Sequence, residues 1–118
     1  MDKNWKNVNN LIDYSEGGIL SKDLFKDQSK DLSLFCMAKG TKISDHTSTK
    51  SGFVYVLEGK GVFNLEGKDI KMLPGVLIHM EANAIHSLKA EENTSFILIL
   101  CGWNQFHISL YKRFQFFS

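Results

Sequence analysis

Between Asp31 and Cys101 the chain is a succession of short apolar runs separated by glycine, proline or charge. Leu32 to Met37 ends at Lys39-Gly40, and Phe53 to Leu57 is followed by Glu58-Gly59-Lys60-Gly61. Val62 to Leu65 leads into Glu66-Gly67-Lys68-Asp69, and Ile70 to Leu73 stops at Pro74-Gly75. Val76 to Met80 precedes Ala82-Asn83-Ala84, His86 to Lys89 precedes Glu91 to Thr94, and Ser95 to Cys101 closes the series. Runs of this length, with glycine in the connections where hairpins need positive backbone angles, predict strands rather than helices. Eight or nine such strands at nearly even spacing predict an all-β sandwich or barrel built as a meander with tight turns.

The first sixteen residues break this pattern. They are polar and rich in asparagine, with Trp5, Val8 and Ile12 at a spacing that predicts a short helix. Gly17-Gly18 ends it, Ile19 to Phe25 reads as a first strand, and Lys26 to Lys30 as a charged turn. No linker composition divides the chain, and 118 residues suit one core. The expected organisation is a single domain with an N-terminal arm over 1–16, a barrel over 17–101 and a tail over 102–118. That tail carries Trp103, Phe106, Tyr111, Phe114, Phe116 and Phe117, more aromatic surface than a solvated end shows. Two placements are open for it: folded back over the barrel, or packed on a second copy in a homodimer.

Charge narrows the partners. Fourteen basic and thirteen acidic side chains in mixed order give a net charge of +1, which creates no field for nucleic acid or an anionic membrane. The N-terminus lacks the apolar core of a secretory signal, and no apolar run approaches the ~20 residues of a membrane span. A cytoplasmic location is expected. Cys36 and Cys101 are far apart in sequence, in apolar runs without a Cys-x-x-Cys spacing, and read as buried reduced thiols.

The chemistry-bearing residues cluster between Gly40 and His86. Gly40, His46, Ser48, Gly52 and Gly59 follow one spacing, and Gly75, Glu81, Asn83 and His86 a second. In this order they resemble the two motifs of the cupin superfamily, and the chain resembles its small single-domain members, built on one double-stranded β-helix. The first motif, Gly-x5-His-x-His-x3,4-Glu-x6-Gly, is met by Gly40, His46 and Gly59. Ser48 stands at its second His and Gly52 at its Glu. The second, Gly-x5-Pro-x-Gly-x2-His-x3-Asn, is met by Gly75 and His86, with Glu81, Asn83 and Ala90 at the other positions. The resemblance implies a jelly-roll barrel whose motif side chains converge on one divalent metal.

His46 and His86 are the two motif imidazoles retained here. Paired imidazoles suit zinc, iron, nickel or copper, and the family resemblance adds manganese; a catalytic zinc generally has three protein ligands and a water. Two arrangements stay open: a metal completed by waters, or a metal-free pocket with a polar end. Strand alternation predicts Ser48, Val54 and Val56 facing inward with His46, and Ile78 and Met80 lining the same pocket, with Phe63 or Leu65 beside them. His79 has the opposite parity, and Asp45 and Glu81 read as solvated carboxylates. His107 would reach the site only if the tail meets a barrel mouth. No dinucleotide fingerprint, P-loop or serine elbow is present. The leading expectation is a module that binds a small molecule, a divalent metal or both. A metal-dependent dioxygenase, isomerase or decarboxylase and a purely structural dimer are the alternatives.

Overall fold

The structure is a computed structural model that describes residues 4–101. Nine strands form two antiparallel sheets. In chain order they are β1 (Ile19–Lys26), β2 (Lys30–Met37), β3 (Lys42–His46), β4 (Ser51–Glu58), β5 (Gly61–Leu65), β6 (Lys68–Met72), β7 (Leu77–Met80), β8 (His86–Ala90) and β9 (Thr94–Cys101). The five-stranded sheet has the order β1-β2-β9-β4-β7 and the four-stranded sheet β3-β8-β5-β6. Successive strands from β3 onward are shared between the sheets, which is the jelly-roll plan expected of a double-stranded β-helix.

The alternation read from the sequence decides which side chains lie between the sheets. In β4, Val54 and Val56 face inward and are fully buried, whereas Tyr55 is exposed. Phe63, Met72, Ile78, Met80, Leu88 and Phe96 complete the inner layer, with Met37 and Ala90. Burying one such large side chain is worth roughly 1.5–3 kcal/mol, so this layer is the main source of stability.

The turns follow from backbone geometry. Leu65 pairs with Lys68 across a two-residue turn in which Glu66 and Gly67 both have positive φ, 50° and 85°, the sign pattern of a type I′ hairpin.

The N-terminal arm departs from the expected helix. Only Val8–Leu11 is helical, as one 3-10 turn with no buried residue and no side-chain cap, and Trp5 is 62% exposed. Without a cap or a wide apolar face there is nothing to sustain further turns. The arm is instead held by packing: Val8, Leu11, Ile12 and Tyr14 lie against a second core of Leu24, Leu34 and Cys36 on the outer face of the five-stranded sheet. Lys22 Nζ donates to the Leu11 carbonyl at 2.8 Å, and the Tyr14 hydroxyl to Glu58 at 3.1 Å. Cys36 is buried, Cys101 half-buried, and both thiols are free. The readings made for the aromatic tail and His107 lie outside the described residues.

Candidate functional site

Pairing between β3 and β8 brings the two histidines together. His46 is the last residue of β3 and stands opposite His86, the first residue of β8, after a register irregularity between Ile43 and His46. The ring centroids are 4.0 Å apart with planes inclined at 59°. Phe63, from β5 on the other side of β8, stacks on His86 at 5.7 Å and 4°. His86 is buried at 6% exposure, whereas His46 lies at the exposed mouth.

Each ring is oriented by its own backbone. His46 Nδ1 lies 2.8 Å from the Ser44 carbonyl, and His86 Nδ1 3.0 Å from the Ala84 carbonyl. A carbonyl only accepts, so Nδ1 carries the proton in both rings and the Nε2 lone pairs are left for a ligand. Desolvation holds the His86 pKa below its ordinary value; the Ala84 carbonyl opposes this shift, and His46 adds to it. His86 is therefore neutral at neutral pH.

The imidazoles close one end of a cavity of about 50 Å³ between the sheets. Phe35, Val54, Phe96 and Leu98 wall it from the five-stranded sheet with Met80, and Ile43, Phe63 and Leu88 from the four-stranded sheet. Among the described residues, His46 and His86 are the only polar side chains in this lining. Of the residues expected to line the pocket, Val54 and Met80 do so. Val56 and Ile78 are buried in the core away from the cavity. Ser48 is also outside it: β3 ends at His46, and strand parity no longer operates two residues on. Its carbonyl accepts from Asn83 N–H at 2.7 Å and its hydroxyl from Lys50 N–H at 3.1 Å. Phe35, Ile43, Leu88, Phe96 and Leu98 were missed, since single apolar residues in strands carry no signal that separates lining from core.

The backbone explains the motif positions that are glycine. Gly40, Gly59 and Gly75 all have positive φ, at 86°, 109° and 89°. At Gly59 a Cβ would also fall 2.3 Å from the Asn93 carbonyl oxygen, so only glycine fits. Asn83, at a motif glycine position, keeps the left-handed conformation with φ 68°, which asparagine tolerates better than most residues. Gly52, at the motif glutamate, is enclosed: a Cβ there would lie 2.3 Å from the Ile99 carbonyl oxygen and 2.9 Å from Leu100 Cδ2.

A metal of the kind the resemblance implies is matched in donor type and not in number. Two imidazoles whose Nδ1 atoms are committed to backbone carbonyls offer Nε2 donors that suit a divalent transition ion. Among the described residues, no group of three or more His, Cys, Asp or Glu side chains is placed to hold one.

A larger hollow of about 220 Å³ lies outside the barrel against Leu65, Glu66, His79, Glu81 and Asn83. Its acids do not converge: Glu66 Oε1 accepts from Ile85 N–H at 2.9 Å, and Glu81 is 3.9 Å from His79 at an exposed position. His79 is exposed and packs on Phe53, on the outer face of the sheet.

The family model for the cupin domain matches residues 33–102, more than half of the chain. The chain is a cupin. No curated protein matches this cupin significantly. Among solved structures, a conserved protein of unknown function from Streptococcus pyogenes is 21% identical with a TM-score of 0.78, over 88% of this chain and 91% of that one. A cupin superfamily protein from Desulfitobacterium hafniense is also 21% identical, with a TM-score of 0.77 over 86% and 93%. Salicylate 1,2-dioxygenase from Pseudoaminobacter salicylatoxidans, solved as adducts with gentisate, is 16% identical with a TM-score of 0.67, over 71% of this chain and 25% of that one. At such identities these likenesses describe the fold. No helix among the described residues is long and apolar enough to cross a membrane.

Proposed function

We propose that this cupin is a binding protein that takes the end of a small molecule into the barrel at His46 and His86, the two residues that would hold a divalent transition metal there. The observation that carries the reading is the paired imidazoles, both with Nδ1 committed to a backbone carbonyl, at the polar end of an otherwise apolar cavity. An apolar cleft with a few convergent polar groups is the usual form of a small-molecule site. A volume of about 50 Å³ admits a few waters or one functional group, so most of the ligand lies at the mouth beside His46.

His46 and His86 would hold the metal, which when bound would present open coordination positions to an oxygen- or nitrogen-bearing ligand. With two protein donors the remaining positions fall to water or to the ligand itself. The two rings orient the polar end, while Phe35, Phe63, Phe96 and Leu98 exclude water from the rest. The enzyme reading has less support, because among the described residues no carboxylate lines the cavity to handle a proton. Free Cys36 and Cys101 are consistent with a reducing, cytoplasmic setting.

The test is elemental analysis of untagged protein purified without chelator, followed by calorimetric titration with zinc, iron(II), nickel, copper and manganese. Uptake of one metal per chain, lost in the His46→Ala/His86→Ala double variant while its circular dichroism stays unchanged, supports the site. Absence of uptake for every ion, with no small-molecule binding that depends on the two histidines, would overturn it.

A further inference from the structure

The lysines of the two sheets differ in their surroundings. In the five-stranded sheet Lys22 donates to the Leu11 carbonyl, Lys26 lies 3.8 Å from Asp31, and Lys30 bonds to Asp27. In the four-stranded sheet Lys42, Lys71 and Lys89 are exposed, and among the described residues none of the three has an ion pair. Their neighbours Ile43, Ile70 and Leu88 face the core, so alternation places all three lysines on the outer face. Register sets them in one row: Lys42 of β3 stands opposite Lys89 of β8, Lys89 opposite Val62 of β5, and Val62 opposite Lys71 of β6. Directly opposed like charges such as Lys42 and Lys89 destabilise a sheet. Asp69, the one acid in the strands of this face, sits a row away and accepts from Asn64 Nδ2 at 2.8 Å. At the rim, Glu91 N–H donates to the Lys60 carbonyl at 2.9 Å, which adds one acid and one more lysine and leaves the face net positive.

We propose that this row is a docking surface for an acidic segment of a partner protein, laid in extended conformation across the four strands. Charge complementarity selects an anion, because carboxylates set against the row replace the repulsion between Lys42 and Lys89 with attraction. Dimensions select an extended polypeptide. From β3 to β6 the row crosses three strand spacings, roughly 14 Å, and four residues of extended chain advance about 13–14 Å. Side chains at positions i, i+2 and i+4 of such a segment share one side. Acids at i and i+4 then meet Lys42 with Lys89 at one end and Lys71 at the other, while an apolar side chain at i+2 lies toward Val62. The other polyanions find less to hold. Within the four strands this face has no aromatic ring on which a base could stack, and half-buried Val62 is its one apolar side chain, too little to enter a bilayer.

The experiment titrates the full chain into a fluorescein-labelled peptide with two glutamates four positions apart around a central leucine, and reads anisotropy at low and high salt. Docking predicts saturable binding that weakens as salt rises and falls several-fold when both glutamates are replaced by glutamine. The triple variant Lys42→Gln/Lys71→Gln/Lys89→Gln should lose binding to the same extent. Its melting temperature should equal or exceed that of the parent, because the like-charge pair is gone. Lys26→Gln, on the other sheet, should bind as the parent does. Absence of saturable binding overturns the proposal, as does binding that the triple variant retains. Tighter binding of a single-stranded oligonucleotide or of phosphatidylserine vesicles, lost in the triple variant, assigns the row to a different anion and overturns it equally.

Discussion

His86 Nδ1 meets the carbonyl of Ala84, two residues before it, as His46 Nδ1 meets that of Ser44. The same local device thus sets the tautomer of both rings, and β3–β8 pairing places the rings 4.0 Å apart. The arrangement needs His86 neutral. Its pKa is depressed in the fold, so an unfolded chain, with an ordinary value of about 6.5, takes up the proton first as pH falls. Between the folded value and about 6.5 stability therefore rises with pH, and above that window His86 contributes no slope. Melting temperature should fall as pH drops below about 6.5, and the fall should be smaller in His86→Leu. Equal slopes in the two proteins would remove His86 as the cause.

Gly52 shows that the motif cannot simply be completed. Restoring the carboxylate with Gly52→Glu, or adding only a methyl with Gly52→Ala, drives Cβ into the Ile99 carbonyl and Leu100. Both variants should lose about 1–3 kcal/mol or more, as overpacked cores do. Urea denaturation measures this, and a Gly52→Glu variant of parental stability would refute it.

Asn83 holds a left-handed conformation at the turn before His86. Asn83→Gly should be neutral or slightly stabilising, whereas Asn83→Val should lose about 1–2 kcal/mol, because a β-branched side chain crowds its own backbone there. Thermal denaturation of the two variants gives the comparison, and an equal effect from both would mean that the turn relaxes.

Tyr14 anchors the N-terminal arm by its ring more than by its hydroxyl. Partial burial, with Glu58 beside the hydroxyl, pushes the phenol up to about 12. Tyr14→Phe removes an exposed hydrogen bond to Glu58 and should lose no more than about 1 kcal/mol. Tyr14→Ala opens the second core over Leu34 and Cys36 and should lose about 1–2 kcal/mol, with faster thiol modification of Cys36 as an independent readout.

Sequence patterning was informative wherever an element has one wet face. β4 alternates buried and exposed side chains, and Val54 and Met80 face the cavity between the sheets because parity holds inside a strand. It failed past a strand end, where Ser48 turns to Asn83 and away from the histidines. It failed at Val56 and Ile78, since inward-facing says nothing of depth along the barrel. β9 reads as an unbroken apolar run because Phe96, Leu98 and Leu100 face the barrel core while Ile97 packs on the second core, so alternation vanishes. The arm misled through helical spacing alone: Trp5, Val8 and Ile12 suggest a stripe, but Trp5 is exposed and tertiary packing holds Val8 and Ile12 in a strap with one 3-10 turn.

By itself the chain determined the strands, the glycine turns and the cupin plan, because these rest on local alternation and on φ values that only a few residues tolerate. Only the tertiary structure decided the site. His46 and His86 are forty residues apart and become neighbours through a β3–β8 pairing whose irregular register no local rule contains. The same holds for the closed pocket at Gly52, where a neighbouring strand's carbonyl, rather than any property of the glycine, excludes the missing carboxylate.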